Sequence, residues 1–149
     1  MKHPPKDNRY TRRGVITAML GAATAAGAQS TEPDDAAVIK ALEVEAFAGL
    51  RAIFVSQKAF YAAKDRYTAN FDEAGFVPDP WCEDGARLKI KEEETPFKKI
   101  GCHFIYELEL LGKRGFRAHA RGAVEPALGL AYLVEAEGKQ AGIPARSPK

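Results

Sequence analysis

Between Ala36 and Arg66 the chain holds no proline and a single glycine, Gly49. Apolar residues recur there at spacings of three, four and seven: Ile39, Leu42, Ala46, Leu50, Ile53 and Phe60. Phe47, Phe54 and Tyr61 flank that row on the same side. This is helical periodicity, and it predicts one amphipathic helix of about 30 residues, roughly 45 Å long. Its opposite side carries Ala48, Ala52, Ala59, Ala62 and Ala63, with Glu45 and Arg66. Asp34 or Asp35 supplies the N-cap. An aromatic stripe at this spacing reads as core packed against a sheet.

The rest of the 149 residues is organised around that helix. Tyr67 to Gly85 is a long connection punctuated by Gly75, Pro78, Pro80 and Gly85, and Phe71, Phe76 and Trp81 are its expected apolar anchors. Beyond it the period changes to two. Leu88 and Ile90 alternate with Lys89 and Lys91, predicting a first strand, and Glu92 to Lys99 reads as a charged turn around Pro96. His103 to Leu111 is the clearest strand, with Phe104, Tyr106, Leu108 and Leu110 on one face and His103, Glu107 and Glu109 on the other. Phe116, Ala118 and Ala120 alternate with Arg117, His119 and Arg121, and Leu128 to Ala136 completes four strands.

The hairpin between the second and third strands can be registered from its loop and its patterning. A three-residue loop, Gly112-Lys113-Arg114, sets Leu110 opposite Phe116 and Leu108 opposite Ala118. It also sets Glu109 opposite Arg117 and Glu107 opposite His119, pairs that contribute about 0.2–1 kcal/mol each. A one-residue slip destroys every match. The expected fold is therefore α+β, a long N-terminal helix on a four-stranded antiparallel sheet spanning residues 36–138. A flexible tail follows over 139–149, where Gly142, Pro144 and Pro148 stand among few large apolar residues.

The N-terminal 28 residues have a different character. Lys2, Lys6, Arg9, Arg12 and Arg13 face only Asp7, which places +4 of charge ahead of a body that nets −2. Gly14 to Ala28 is uncharged and rich in small apolar residues, and at 15 residues it falls short of the roughly 20 that span a bilayer. Ala26-Gly27-Ala28 forms an A-x-A site, so cleavage would start the mature chain at Gln29, ahead of a polar linker over 29–35. Basic region, short apolar core and small-residue site in that order predict export, to the periplasm or the medium. Arg12 and Arg13 resemble a twin-arginine motif. A general secretory signal holding two arginines is the other reading.

Cys82 and Cys102 lie 20 positions apart. In an oxidising compartment they are expected to form a disulfide worth about 3 kcal/mol by loop entropy. A Cys/His metal cluster with His103 and His119 is the alternative. His119 with Glu107 has the residue types of an acid/base pair, but no nucleophile or phosphate-binding glycine loop accompanies it. The expectation is therefore no catalytic residue, metal or cofactor. Charge is segregated as well. Residues 29–85 net −6 and residues 86–121 net +4, so Arg117, His119 and Arg121 on one sheet face are candidates for contact with a polyanion. Ion pairing with Glu107 and Glu109 is the competing expectation.

The run from Leu50 to Thr68 resembles the globular-domain helix of type IV pilins and pseudopilins, above all the pilin-like proteins of deltaproteobacteria. Phe71 to Asp79 is similar to the loop after that helix, and Gly85 to Ile90 and Phe116 to Gly122 to its first and third strands. The likeness covers roughly residues 43–138. It implies a helix packed on a four-stranded sheet, and partners among pilus or secretion-system components. The family's leader ends in Gly, followed by Phe and by a long apolar helix with Glu at its fifth position. Here Gly14 is followed by Val15, the fifth position is Met19, and the apolar run stops at Ala28. Glu125 to Gly129 stands where many relatives carry an acidic glycine-rich loop, and it does not suggest a calcium site. The resemblance thus implies a pilin-type globular domain behind a different export signal; without a polymerising N-terminal helix it is expected to be soluble and monomeric or weakly self-associating. A minor pilin or pseudopilin of a type IV pilus or type II secretion system, processed after Gly14, is the alternative, and a periplasmic polyanion-binding module a third reading.

Overall fold

A computed structural model describes residues 34–79, 82 and 84–143. Arg12, Arg13, Ala26, Ala28 and Gln29 of the export reading, and the anchor Trp81, lie outside the described residues.

Helix α1 spans Asp35–Lys64. The Asp34 side chain accepts a hydrogen bond from the Ala36 amide and caps its start. The end comes at Asp65, which turns into the left-handed region at φ 53° while its amide still bonds the Tyr61 carbonyl. The predicted stripe is the buried one at Leu42, Ala46, Leu50 and Ile53. Its ends depart from expectation: Ile39 is exposed, and Phe60 is half-buried with the Arg66 guanidinium 5.0 Å from its ring centre. The stripe also includes a polar residue, Gln57, which is completely buried.

The sheet has five antiparallel strands in sequential order, one more than expected: β1 (Lys98–Ile100), β2 (Phe104–Leu110), β3 (Phe116–Gly122), β4 (Ala131–Glu135) and β5 (Gln140–Ile143). The β2–β3 hairpin has the register that its charges dictate, with Leu110 opposite Phe116, Glu109 opposite Arg117 and Glu107 opposite His119. Strand assignments fail where alternation is short. Leu88 and Ile90 belong to no strand. Ala86–Lys89 is instead a 3-10 turn, and Leu88 is 89% exposed. Local capping overrides two alternating residues here: Gly85 adopts φ 65°, and Asp84 accepts from the Ala86 amide at 2.9 Å. The first strand forms later, overlapping the end of the segment read as a charged turn. Its residues are Lys-Lys-Ile, which no hydrophobic pattern marks. Strand β5 lies in the expected tail and pairs with β4 from Ala131↔Ile143 to Val134↔Gln140. Its backbone pairing with β4 holds it, so the scarcity of large apolar residues in that tail is no bar.

Helix α1 lies over one face of the sheet, mainly over β3 and β4. The core joins its stripe to Phe104, Tyr106 and Leu108 of β2, Phe116, Ala118 and Ala120 of β3, and Tyr132 and Val134 of β4. Burying each large apolar side chain is worth about 1.5–3 kcal/mol. Two alanines on central β3 leave room for the helix to approach. Gly49 does the same from the helix side, because a Cβ there would stand 2.2 Å from the Tyr106 hydroxyl. Phe71 and Phe76 are buried and anchor the connection as predicted, with ring centres 5.1 Å apart. A short helix, α2 (Phe71–Ala74), carries the first, and the Asn70 side chain caps it by accepting from the amides of Asp72 and Glu73.

Candidate functional site

The sheet face turned away from α1 presents the side chains that alternate with the core. Arg117, His119 and Arg121 share this face, as the alternation requires, and acids interleave with them. Arg117 Nε donates to Glu135 Oε1 at 2.8 Å and its Nη1 to Glu109 Oε1 at 3.2 Å. Hydrogen bonding by Glu135 is the main reason that guanidinium holds its proton more tightly than usual, against a smaller loss from burial. Arg121 reaches Glu92 at 3.1 Å and Glu107 at 3.4 Å. The Glu92 carboxyl is shifted below its ordinary range by Lys98 first and by Arg121 after it, with burial opposing.

His119 does not pair with Glu107, its partner across the backbone register. Its Nε2 lies 3.6 Å from Glu109 Oε1, and Glu107 is engaged diagonally by the longer Arg121. No acid/base dyad of His119 with Glu107 is assembled. A recess of about 570 Å³ opens on this face, with Phe97, Lys98, Glu107, His119 and Arg121 in its lining. Phe97 is 57% exposed at its edge. Basic and acidic groups alternate around the recess, so its field is that of a balanced network. An anion approaching Arg117 or Arg121 must first displace a carboxylate.

Cys82 and Cys102 are joined in a disulfide, as expected. The alternative Cys/His cluster with His103 and His119 does not form, since each sulfur is bonded to the other and the two imidazoles engage different carboxylates. Among the described residues no group of three or more His, Cys, Asp or Glu side chains is gathered as a metal ion would require.

A second polar cluster lies beside the disulfide and has no counterpart in the sequence pattern. His103 precedes β2 instead of belonging to its outer face, and its ring turns toward α1. Its Nδ1 lies 2.7 Å from Glu45 Oε2, and its Nε2 lies 2.7 Å from Asp84 Oδ2. The His103 backbone amide donates to the other oxygen of Glu45 at 2.9 Å. Burial lowers the affinity of this ring for a proton. The hydrogen bonds and charges of Glu45, then Asp84, outweigh that loss and leave the pKa above its ordinary value. Asp84 is shifted down, first by the Ala86 amide and then by His103. Glu45 and His103 are 58 positions apart, a separation that no local pattern reveals.

Glu45 also borders a groove of about 480 Å³ between α1 and the segment from Phe76 to Asp79, floored by Gly49, Gly101 and Tyr106. The Tyr106 hydroxyl donates to the Glu45 carbonyl at 3.4 Å, and burial, with the Glu45 charge second, raises its pKa far above the phenol range. Among the described residues no helix is long and apolar enough to cross a membrane. Compared with protein-family models, curated proteins and solved structures, the chain matches none.

Proposed function

We propose that this chain is an exported, pilin-like protein of the cell envelope, acting as a structural or interaction module and not as a catalyst. The observation that carries the reading is the joint one of an A-x-A-type leader and a disulfide in the domain behind it. A disulfide persists in oxidising compartments, which are where such a leader delivers a chain. The order of elements, one long helix followed by an antiparallel sheet, is compatible with the pilin resemblance of residues 43–138. On this reading its partners are pilus or secretion-system components, met by a monomer in the periplasm or the medium.

The polyanion reading draws less support, because Arg117 and Arg121 already face Glu135, Glu109, Glu92 and Glu107. It would show as ligand binding that falls steeply with added salt. The test of the main reading is the intact mass of the native protein from cell envelope and medium, taken without reductant. The expected species starts at Gln29 and is two hydrogens lighter than its thiol form. A chain starting at Val15, recovered in sheared filaments, would instead establish a minor pilin processed after Gly14.

A further inference from the structure

The cluster at His103 ties three parts of the chain together through one imidazole. Glu45 comes from the middle of α1, His103 from the lead into β2, and Asp84 from the connection that the disulfide closes. Both ring nitrogens face carboxylate oxygens at 2.7 Å. A neutral imidazole owns one N–H, so only the imidazolium can donate to both. The geometry therefore belongs to the charged ring.

The two sides of the ring are not equivalent. Glu45 is held on both oxygens, by the ring and by the His103 amide, at a half-buried position. Asp84 is 54% exposed, and its other anchor is the Ala86 amide. Loss of a proton to solvent therefore takes it from Nε2, on the Asp84 side. The lone pair left there faces an ionised carboxylate, and attraction becomes repulsion. Nδ1 keeps its proton and its bond to Glu45.

We propose that His103 is a proton-operated latch, which holds the Asp84 end of the disulfide-closed connection against the body when charged and releases it when neutral. The moving part is the turn that Asp84 begins, where Ala86 donates to Asp84, Leu88 to Gly85 and Ile90 to Arg87. Ala86 is 1% exposed in the latched state, so release brings a buried residue toward water. The disulfide limits the excursion, since Cys102 adjoins His103 and stays bonded to Cys82. Tyr106 presents its hydroxyl to the Glu45 carbonyl, and Asp79 borders the adjoining groove. The charges that favour the imidazolium are those of Glu45 and Asp84. The sign follows: a ring whose folded pKa lies above 6.5 adds stability that is complete below that value and lost as pH rises through the folded pKa. This inference does not rest on the export reading.

The test uses the oxidised full-length protein, titrated between about pH 5 and 9 by ring-nitrogen NMR and by amide hydrogen exchange corrected for intrinsic rate. The expected result is an imidazolium at His103 that persists above pH 6.5, the ordinary value, with protons on both nitrogens. As it titrates, the amides of Ala86, Leu88 and Ile90 lose protection, about tenfold for each unit by which the latched ring's pKa exceeds that of the released ring. The Thr68 amide, held elsewhere by Gln57, serves as the unmoved reference. Asp84→Asn, at an exposed site that the fold tolerates, lowers the ring's pKa and flattens the pH dependence of those three amides. A ring that is already neutral at pH 6.5, or protection that ignores the ring's charge, overturns the proposal with no variant needed.

Discussion

Gln57→Leu is the substitution whose effect hydropathy and structure forecast with opposite signs. By hydropathy it completes the apolar stripe of α1 and adds roughly 1 kcal/mol of burial. The structure forecasts a loss. The Gln57 side chain is completely buried, its Nε2 donates to the Thr68 carbonyl at 2.9 Å, and its Oε1 accepts from the Thr68 amide at 3.2 Å. Thr68 is itself 4% exposed, so water cannot replace the lost partners without opening the connection. Each orphaned backbone group costs about 1–3 kcal/mol, and after the gain from leucine the net loss is about 3 kcal/mol. That is a large share of the 5–15 kcal/mol typical of a domain.

Urea unfolding without reductant measures it as a lower midpoint at unchanged slope. A loss below about 0.5 kcal/mol would refute the claim that Gln57 supplies the hydrogen bonding of this loop. Gln57→Glu sharpens the test. Its neutral carboxylic acid can accept from the Thr68 amide and donate to the Thr68 carbonyl, but its anion can only accept. Burial raises the pKa of such a carboxyl, so this variant should be most stable at low pH and lose stability as pH rises through that raised value.

Further outcomes are measurable by the same unfolding assay. Replacing both Cys82 and Cys102 by serine should cost about 3 kcal/mol, from the loop that their separation of 20 closes. Gly122→Ala should abolish stable folding, because its Cβ would stand 1.8 Å from the Ala127 carbonyl oxygen. Gly112→Ala, at φ 69° in open space, should cost only about 1 kcal/mol. Arg117→Ala should leave the unfolding midpoint nearly unchanged, since its ion pairs lie at the surface, and a clear loss would mean the outer-face network is stabilising beyond its exposure.

What was legible in the sequence followed the strength of the local pattern. The helix was readable because its apolar positions repeat over eight turns and Asp34 marks its start. The β2–β3 register was readable because a slip would misplace Leu108, Leu110 and Phe116 together with Glu109 and Arg117. Leu88 and Ile90 misled because two alternating residues weigh less than a Gly85–Asp84 turn. Strands β1 and β5 were invisible because edge strands are held by backbone bonds to a neighbour, whatever their side chains. On the candidate face, alternation located Arg117, His119 and Arg121 correctly. It did not foresee Glu92 and Glu135, which come from other segments and complete the charge balance.

The same limit explains why the polar contacts with most consequence were missed. Gln57 and Glu45 both look like ordinary polar positions on α1, yet each holds a distant piece of chain. Lys58 adds a third such contact by donating to the Tyr67 hydroxyl at 2.9 Å. A 30-residue helix with a rigid backbone can present fixed donors and acceptors along its length. Tyr67, Phe71 and Phe76 anchor the long connection after it in the core. Polar closures add to them, an amide at its beginning and a disulfide and an imidazolium at its end. Of these closures only the imidazolium responds to protons near neutrality, so a pH-dependent opening of this fold should start at Asp84 and leave Thr68 in place.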